Sequence, residues 1–164
     1  AMQVLRWFIG PAQRRTVGDL AHHGEEREFF RDKLCTLAQL VATMPKTGET
    51  DRQAEPVAHL HYFAGGQASW WITEKDMGSA NDEPGVNPQQ QAFGLADLFG
   101  DGGEVGYISI AEILENGGEL DLYFAPKTLG EIRGKCACGG KVQVEAMRAG
   151  EIACDIINPG DWRE

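Results

Sequence analysis

The chain has 164 residues, 42% of them apolar, and a formal net charge of −10. That is enough apolar material for one domain with a real core, and it excludes wholesale disorder. The charge argues against a nucleic-acid binder, because phosphate affinity depends on lysine and arginine displacing counterions.

Taken in order, residues 2–9, "MQVLRWFI", are apolar and fit a strand or a short helix, and Gly10-Pro11 breaks them. Ala1 reads as a tag remnant. The clearest helix is expected over 25–44. Phe30, Leu34, Leu37, Val41 and Met44 recur at spacings of four, three, four and three, which is one helical face. Glu25, Glu26 and Glu28 favour the positive end of its dipole, and Pro45 ends it. Residues 46–56 read as a polar linker.

From residue 57 the pattern becomes short strands: 57–63, 68–74, 91–98, 104–110 and 119–124, rich in β-branched and aromatic residues. Gly65-Gly66 and the 100–103 glycines mark two hairpins. The 77–91 segment is a long loop, of the kind that is usually functional or mobile. Ser109…Glu112 and Thr128…Glu131 fit the capping box, which predicts short helices near 110–116 and 128–133. Residues 134–164 suggest a last hairpin and tail. A long N-terminal helix followed by a meander of strands is an α+β arrangement, with the helix packed on an antiparallel sheet.

Charge is unevenly placed. Residues 1–56 balance, whereas 57–135 hold four basic against twelve acidic side chains. This points to a protein partner with a basic surface, and not directly to nucleic acid. No apolar run approaches the ~18 residues of a membrane span and no secretory pattern is visible, which predicts a cytoplasmic protein without a membrane partner. In that compartment Cys35, Cys136, Cys138 and Cys154 read as reduced thiols. Three cysteines at C-x-C spacing are too few for structural zinc.

The chemistry-bearing stretch is "QASWWITEKD", residues 67–76. On a strand, Trp70, Ile72 and Glu74 share one face while Trp71 and Thr73 share the other, so the tryptophans cannot form one platform. Glu74 and Asp76 could hold a metal or do acid–base work. His59 and His61 form an H-x-H pair that, with Glu74, offers a weak metal set; no metal or cofactor is favoured. "GDGGEVG" lacks the Lys-Ser/Thr of a phosphate loop and the alternating ligands of a calcium loop, and reads as a turn.

Four ordered motifs, "WWITEKD", "FGLADL", "EVGYISIAEIL" and "LDLYFAPKTLGEI", resemble domain of unknown function 2958, a family of small bacterial proteins common on plasmids and other mobile elements. Its members run W-x-W-Y/W-x-T-E-x-D, F-G-L-V, E-L-G-Y-F-S-L-x-E-L and E-R-D-L-Y-F-x-P-K-T-L. The resemblance covers about residues 57–133. Its pattern falls on Trp71, Thr73, Glu74, Asp76, Phe93, Gly94, Leu95, Glu104, Gly106, Tyr107, Ser109, Glu112, Asp121, Tyr123, Phe124, Pro126, Lys127 and Thr128. Leu120 stands where the family has arginine, and the 77–91 loop is longer. The resemblance implies a mobile-element accessory protein without implying an activity. Candidate binding residues are Trp71, Thr73, Glu74, Asp76, Glu104, Tyr107, Asp121, Tyr123 and Lys127. The expected function is non-enzymatic binding through an acidic face. The alternative is a metal-assisted hydrolase using Glu74, Asp76, Glu112 and Asp121 with His59 or His61.

Overall fold

The computed structural model describes residues 2–79 and 87–134. They form an α+β fold. Three helices come first: α1 (Met2–Leu5), α2 (Pro11–His23) and α3 (Arg27–Thr43). The strands are β1 (Val57–Ala58), β2 (Leu60–Ala64), β3 (Ala68–Glu74), β4 (Ala92–Asp97), β5 (Glu104–Ile108), β6 (Glu119–Leu120) and β7 (Lys127–Thr128). Two short helices, α4 (Ile110–Glu115) and α5 (Leu129–Ile132), complete the set.

Helix α3 buries Phe30, Leu34, Leu37, Ala38 and Val41. The N-terminal part is nevertheless three helices, not a single long one. Helix α2 carries no strong apolar stripe; it buries only Val17, Gly18 and Ala21, small residues that let it lie close to α3. Arg31 Nε donates to the Ala21 carbonyl at 2.9 Å and ties the two together.

The main sheet runs β5-β4-β3-β2-β6 and is antiparallel throughout, with β1 and β7 pairing as a separate ribbon. One face packs under the helices: Leu60, Tyr62, Ile72 and Leu120 join Leu5, Phe8, Ile9, Leu34 and Val41 in one core. The buried Tyr62 hydroxyl donates to the Phe8 carbonyl at 2.8 Å, which gives that polar atom a partner inside the core. A smaller core on the opposite face gathers Ala58, Leu95 and Leu129, with Trp71, Phe124 and Ile132 against it. The alternation along β3 thus sends Trp70 to one core and Trp71 to the other.

Of the two expected capping boxes, one forms in full and the other only in its N-cap half. The Ser109 hydroxyl accepts from Glu112 N at 3.1 Å, and Thr128 and Glu131 form the reciprocal pair that opens α5. Gly94 has no room for a side chain, since a Cβ would lie 2.0 Å from the Trp71 carbonyl oxygen. At the outer edge of β6 the Gln13 side chain stands in for a strand: its Nε2 donates to Leu120 O at 2.6 Å and its Oε1 accepts from Leu120 N at 3.1 Å.

Three expectations need correcting. Residues 57–63 are not one strand of the main sheet: β1 pairs with β7 in the ribbon, and β2 enters the main sheet from Leu60. Residues 119–124 are not one strand; the chain leaves the ladder after Leu120, where Asp121 turns to accept from Tyr123 N at 3.0 Å. Cys35, half-buried on α3, takes part in a disulfide, which corrects the reading of four reduced thiols. The rim of an apolar stripe leaves a sulfur reachable, as its centre does not. The expected C-terminal hairpin, with Cys136, Cys138 and Cys154, lies outside the described residues.

Leu34 is fully buried in the main core. Leu34→Ala is expected to lower stability by about 2–5 kcal/mol, as truncation in a packed core does. Urea denaturation checks it; a shift below about half a kcal/mol with an unchanged slope would mean that α3 is not packed on the sheet.

Candidate functional site

The "TEKD" residues at the end of β3 face inward. Thr73 and Glu74 are 2% and 1% exposed, so neither offers an atom to a partner. Glu74 Oε2 accepts from Gly48 N at 2.7 Å, and Oε1 accepts from Thr50 N at 2.7 Å and from the Thr50 hydroxyl. The Thr73 hydroxyl donates to Phe93 O at 3.1 Å. Lys75 Nζ donates to the Val41 and Ala42 carbonyls at 2.7 and 2.9 Å and so closes the C-terminal end of α3. Burial, then Lys46, lowers the pKa of Lys75 from its ordinary value, while Glu49 raises it. Asp76 organises the long loop. Its Oδ1 accepts from Gly78 N at 2.8 Å, and Oδ2 accepts from Gln90 N and Gln91 N at 3.0 and 2.9 Å. Side chains that the sequence offered as binding groups therefore hold turns together.

The carboxylates of the metal-assisted alternative are employed apart from one another. Glu74 serves the 48–50 turn, Asp76 the loop end and Asp121 a histidine, while Glu112 is exposed on α4. Among the described residues no group of three or more His, Cys, Asp or Glu could hold a metal. His59 does not join His61 in a set with Glu74. Its Nδ1 is buried without a hydrogen-bond partner, and burial lowers its pKa from the ordinary histidine value.

What does come together lies on the outer face of the sheet. Strand register places His61 opposite Trp71, Trp71 opposite Leu95, and Ser69 between Phe63 and Asp97. Asp121 N donates to His61 O at 2.8 Å, which extends the β6 pairing by one residue and sets the Asp121 side chain beside the imidazole. His61 Nδ1 lies 3.1 Å from Asp121 Oδ2, and Nε2 lies 3.3 Å from Ser69 Oγ. The imidazole stacks on Trp71 at 5.1 Å and 11°, with Phe124 at 5.6 Å. Of the other candidates, Glu104, Tyr107, Tyr123 and Lys127 are exposed. Tyr123 stacks on Phe29 at 6.5 Å, with the Lys33 ammonium 5.0 Å from its ring centre.

Sequence reasoning missed Asp97. Its carboxylate accepts four backbone N–H groups: Phe99 at 3.2 Å, Gly100 at 2.6 Å and Asp101 at 3.2 Å on Oδ1, and Gly102 at 3.1 Å on Oδ2. The available signal was an aspartate directly before a glycine-rich turn, a residue type that bonds its own following backbone. Burial pulls the Asp97 pKa up, but the four donors outweigh it and leave the carboxyl below its ordinary value. The turn so held carries Leu98, 48% exposed, and Phe99, 77% exposed.

Glu74→Ala would leave the buried amide and hydroxyl of Thr50 without an acceptor, and the Gly48 amide to water, and is expected to cost about 2–4 kcal/mol, read by urea unfolding. Glu74→Gln, which keeps one oxygen, should cost less. A melting temperature that rises with added divalent cation in the wild type would restore the ligand reading.

For Asp97 a depressed folded-state pKa stabilises above the ordinary value of 3.8 and loses that contribution as pH falls through the lower folded value. Wild type should therefore exceed Asp97→Asn in stability near about pH 6, with the gap closing under acid. A gap constant across the acid range would show that the charge is not what holds the turn.

Among protein-family models, curated proteins and solved structures no match is found, so the functional reading rests on the geometry.

Proposed function

We propose that the protein is a binding module, an accessory protein of a mobile element in the setting its resemblance implies, which docks a basic protein surface with the hairpin end of its sheet. The β2–β3 turn (65–67) and the β4–β5 turn (98–103) lie side by side there, a Cβ on Gly100 falling 3.8 Å from Gln67 Oε1. Glu104 and Glu119 sit on the two edge strands at that same end, opposite Ala96 and Phe63, and Asp101 is exposed within the β4–β5 turn. No lysine or arginine occurs between Lys75 and Lys127. Among the described residues none of these three carboxylates has a cation within 4.0 Å.

The observation that carries the reading is Phe99. An aromatic ring 77% exposed is held by a turn already fixed through four bonds to Asp97, so presenting it costs little further ordering on association. Phe63 and Leu98, 42% and 48% exposed, extend the apolar patch. Unpaired carboxylates around such a patch suit a cationic rim and steer its approach. No helix among the described residues is long and apolar enough to cross a membrane.

The test is affinity capture from host extract with identification by mass spectrometry, comparing wild type, Phe99→Ala and Glu104→Lys. Phe99→Ala should leave stability within about 0.5 kcal/mol and weaken capture by about 2 kcal/mol or more. Glu104→Lys should slow association, as should raising salt to about 1 M, where the screening length is about 3 Å. A captured set indifferent to Phe99, or tight salt-sensitive binding of duplex DNA, overturns the reading.

A further inference from the structure

We propose that Ser69, His61 and Asp121 form a nucleophile, a base and an orienting carboxylate that together support acyl transfer from a small carboxylic ester. The three residues lie in adjacent strands and at the end of the third. The β2–β3 register brings His61 and Ser69 to the same outer face, and the Asp121 N–H on the His61 carbonyl fixes the third member. The carboxylate at 3.1 Å from Nδ1 selects the tautomer that carries its proton there, which leaves Nε2 to accept from the Ser69 hydroxyl at 3.3 Å. That separation suits a resting site, where such bonds are long before substrate tightens them. Two further contacts hold the parts. Trp71 stacks against the imidazole at 5.1 Å, and Asp121 Oδ1 accepts from Tyr123 N at 3.0 Å, which directs the other oxygen at the ring. His61 has a carboxylate on one nitrogen and a primary hydroxyl on the other.

The chemistry balances with water as the second substrate. Ser69 Oγ forms a bond to the ester carbonyl carbon as its proton passes to His61 Nε2. The C–O bond to the alcohol then breaks, and the alcohol departs with that proton. A water molecule repeats the sequence on the acyl-serine, which releases the acid and restores the hydroxyl. Asp121 is a positioning residue; Ser69 and His61 are the groups that touch substrate. The half-buried Ser69 lies beside the exposed Phe63 ring, which gives an apolar acyl group a surface to rest on.

The experiment uses the full chain with a fluorophosphonate probe, which bonds activated serines much faster than ordinary ones, and locates the label by peptide mass spectrometry. Ser109, the N-cap of α4, has no histidine at hydrogen-bond distance and is the internal reference. Ser69 should label about 10²-fold faster than Ser109, the lower end of what a positioned base contributes. His61→Gln should bring the two rates together while melting stays unchanged. With 4-nitrophenyl acetate, Asp121→Asn should lower kcat and leave KM, and Asp121→Glu should recover part of the loss. Label on Ser69 no faster than on Ser109 in the wild type overturns the proposal whether or not any variant folds. So does a Ser69 rate indifferent to a folded His61→Gln.

Discussion

The fold hangs on a carboxylate with nowhere else to go. Glu74 is 1% exposed at the end of a central strand, and burying a charge without partners would cost more than the fold's net stability can absorb. Its three donors all come from the 48–50 turn, so the segment between α3 and the sheet must close over it. Neighbouring bonds carry the constraint outward. Thr47 donates its backbone N–H to Lys75 O and its hydroxyl to Gln91 O, and Lys75 reaches back to the end of α3. Helix layer, sheet and long loop are thereby joined through the 47–50 turn and the Glu74-Lys75 pair, and the rest of the sheet is free to present its outer face.

That arrangement changes what the negative charge means. Glu74, Asp76 and Asp97 spend their oxygens on backbone amides, so their charge contributes to the overall field while their oxygens are taken up by the fold itself. The carboxylates left to meet a partner directly are exposed ones such as Asp101, Glu104 and Glu119. A count over sequence does not separate the two kinds.

Much of the framework was legible because it is local. The four-three spacing of α3, the two capping sequences and the glycine-marked hairpins each need only neighbouring residues to be read. Helix α2 was not legible, because its buried positions are Val17, Gly18 and Ala21, too few and too small to mark an apolar stripe. The roles of the "TEKD" side chains were hidden for a different reason. The donors to Glu74 lie 24 and 26 residues upstream, and no spacing rule connects them. His61 was noticed as half of an H-x-H pair, whereas its actual partners sit 8 and 60 residues away. Secondary structure is written in short range; the outer-face cluster is written in strand register.

Gln13 has a consequence for how molecules of this protein can meet. By occupying both hydrogen-bonding groups of Leu120, its amide blunts the β6 margin of the sheet. In the main sheet β5 and β6 are the edge strands, and among the described residues no amide caps β5 as Gln13 caps β6. Edge-to-edge growth of that sheet into a filament needs two receptive margins per molecule, and Gln13 closes one of them. Two copies joined through β5 would leave the Gln13-covered margins of β6 outward, which opposes further growth of the main sheet.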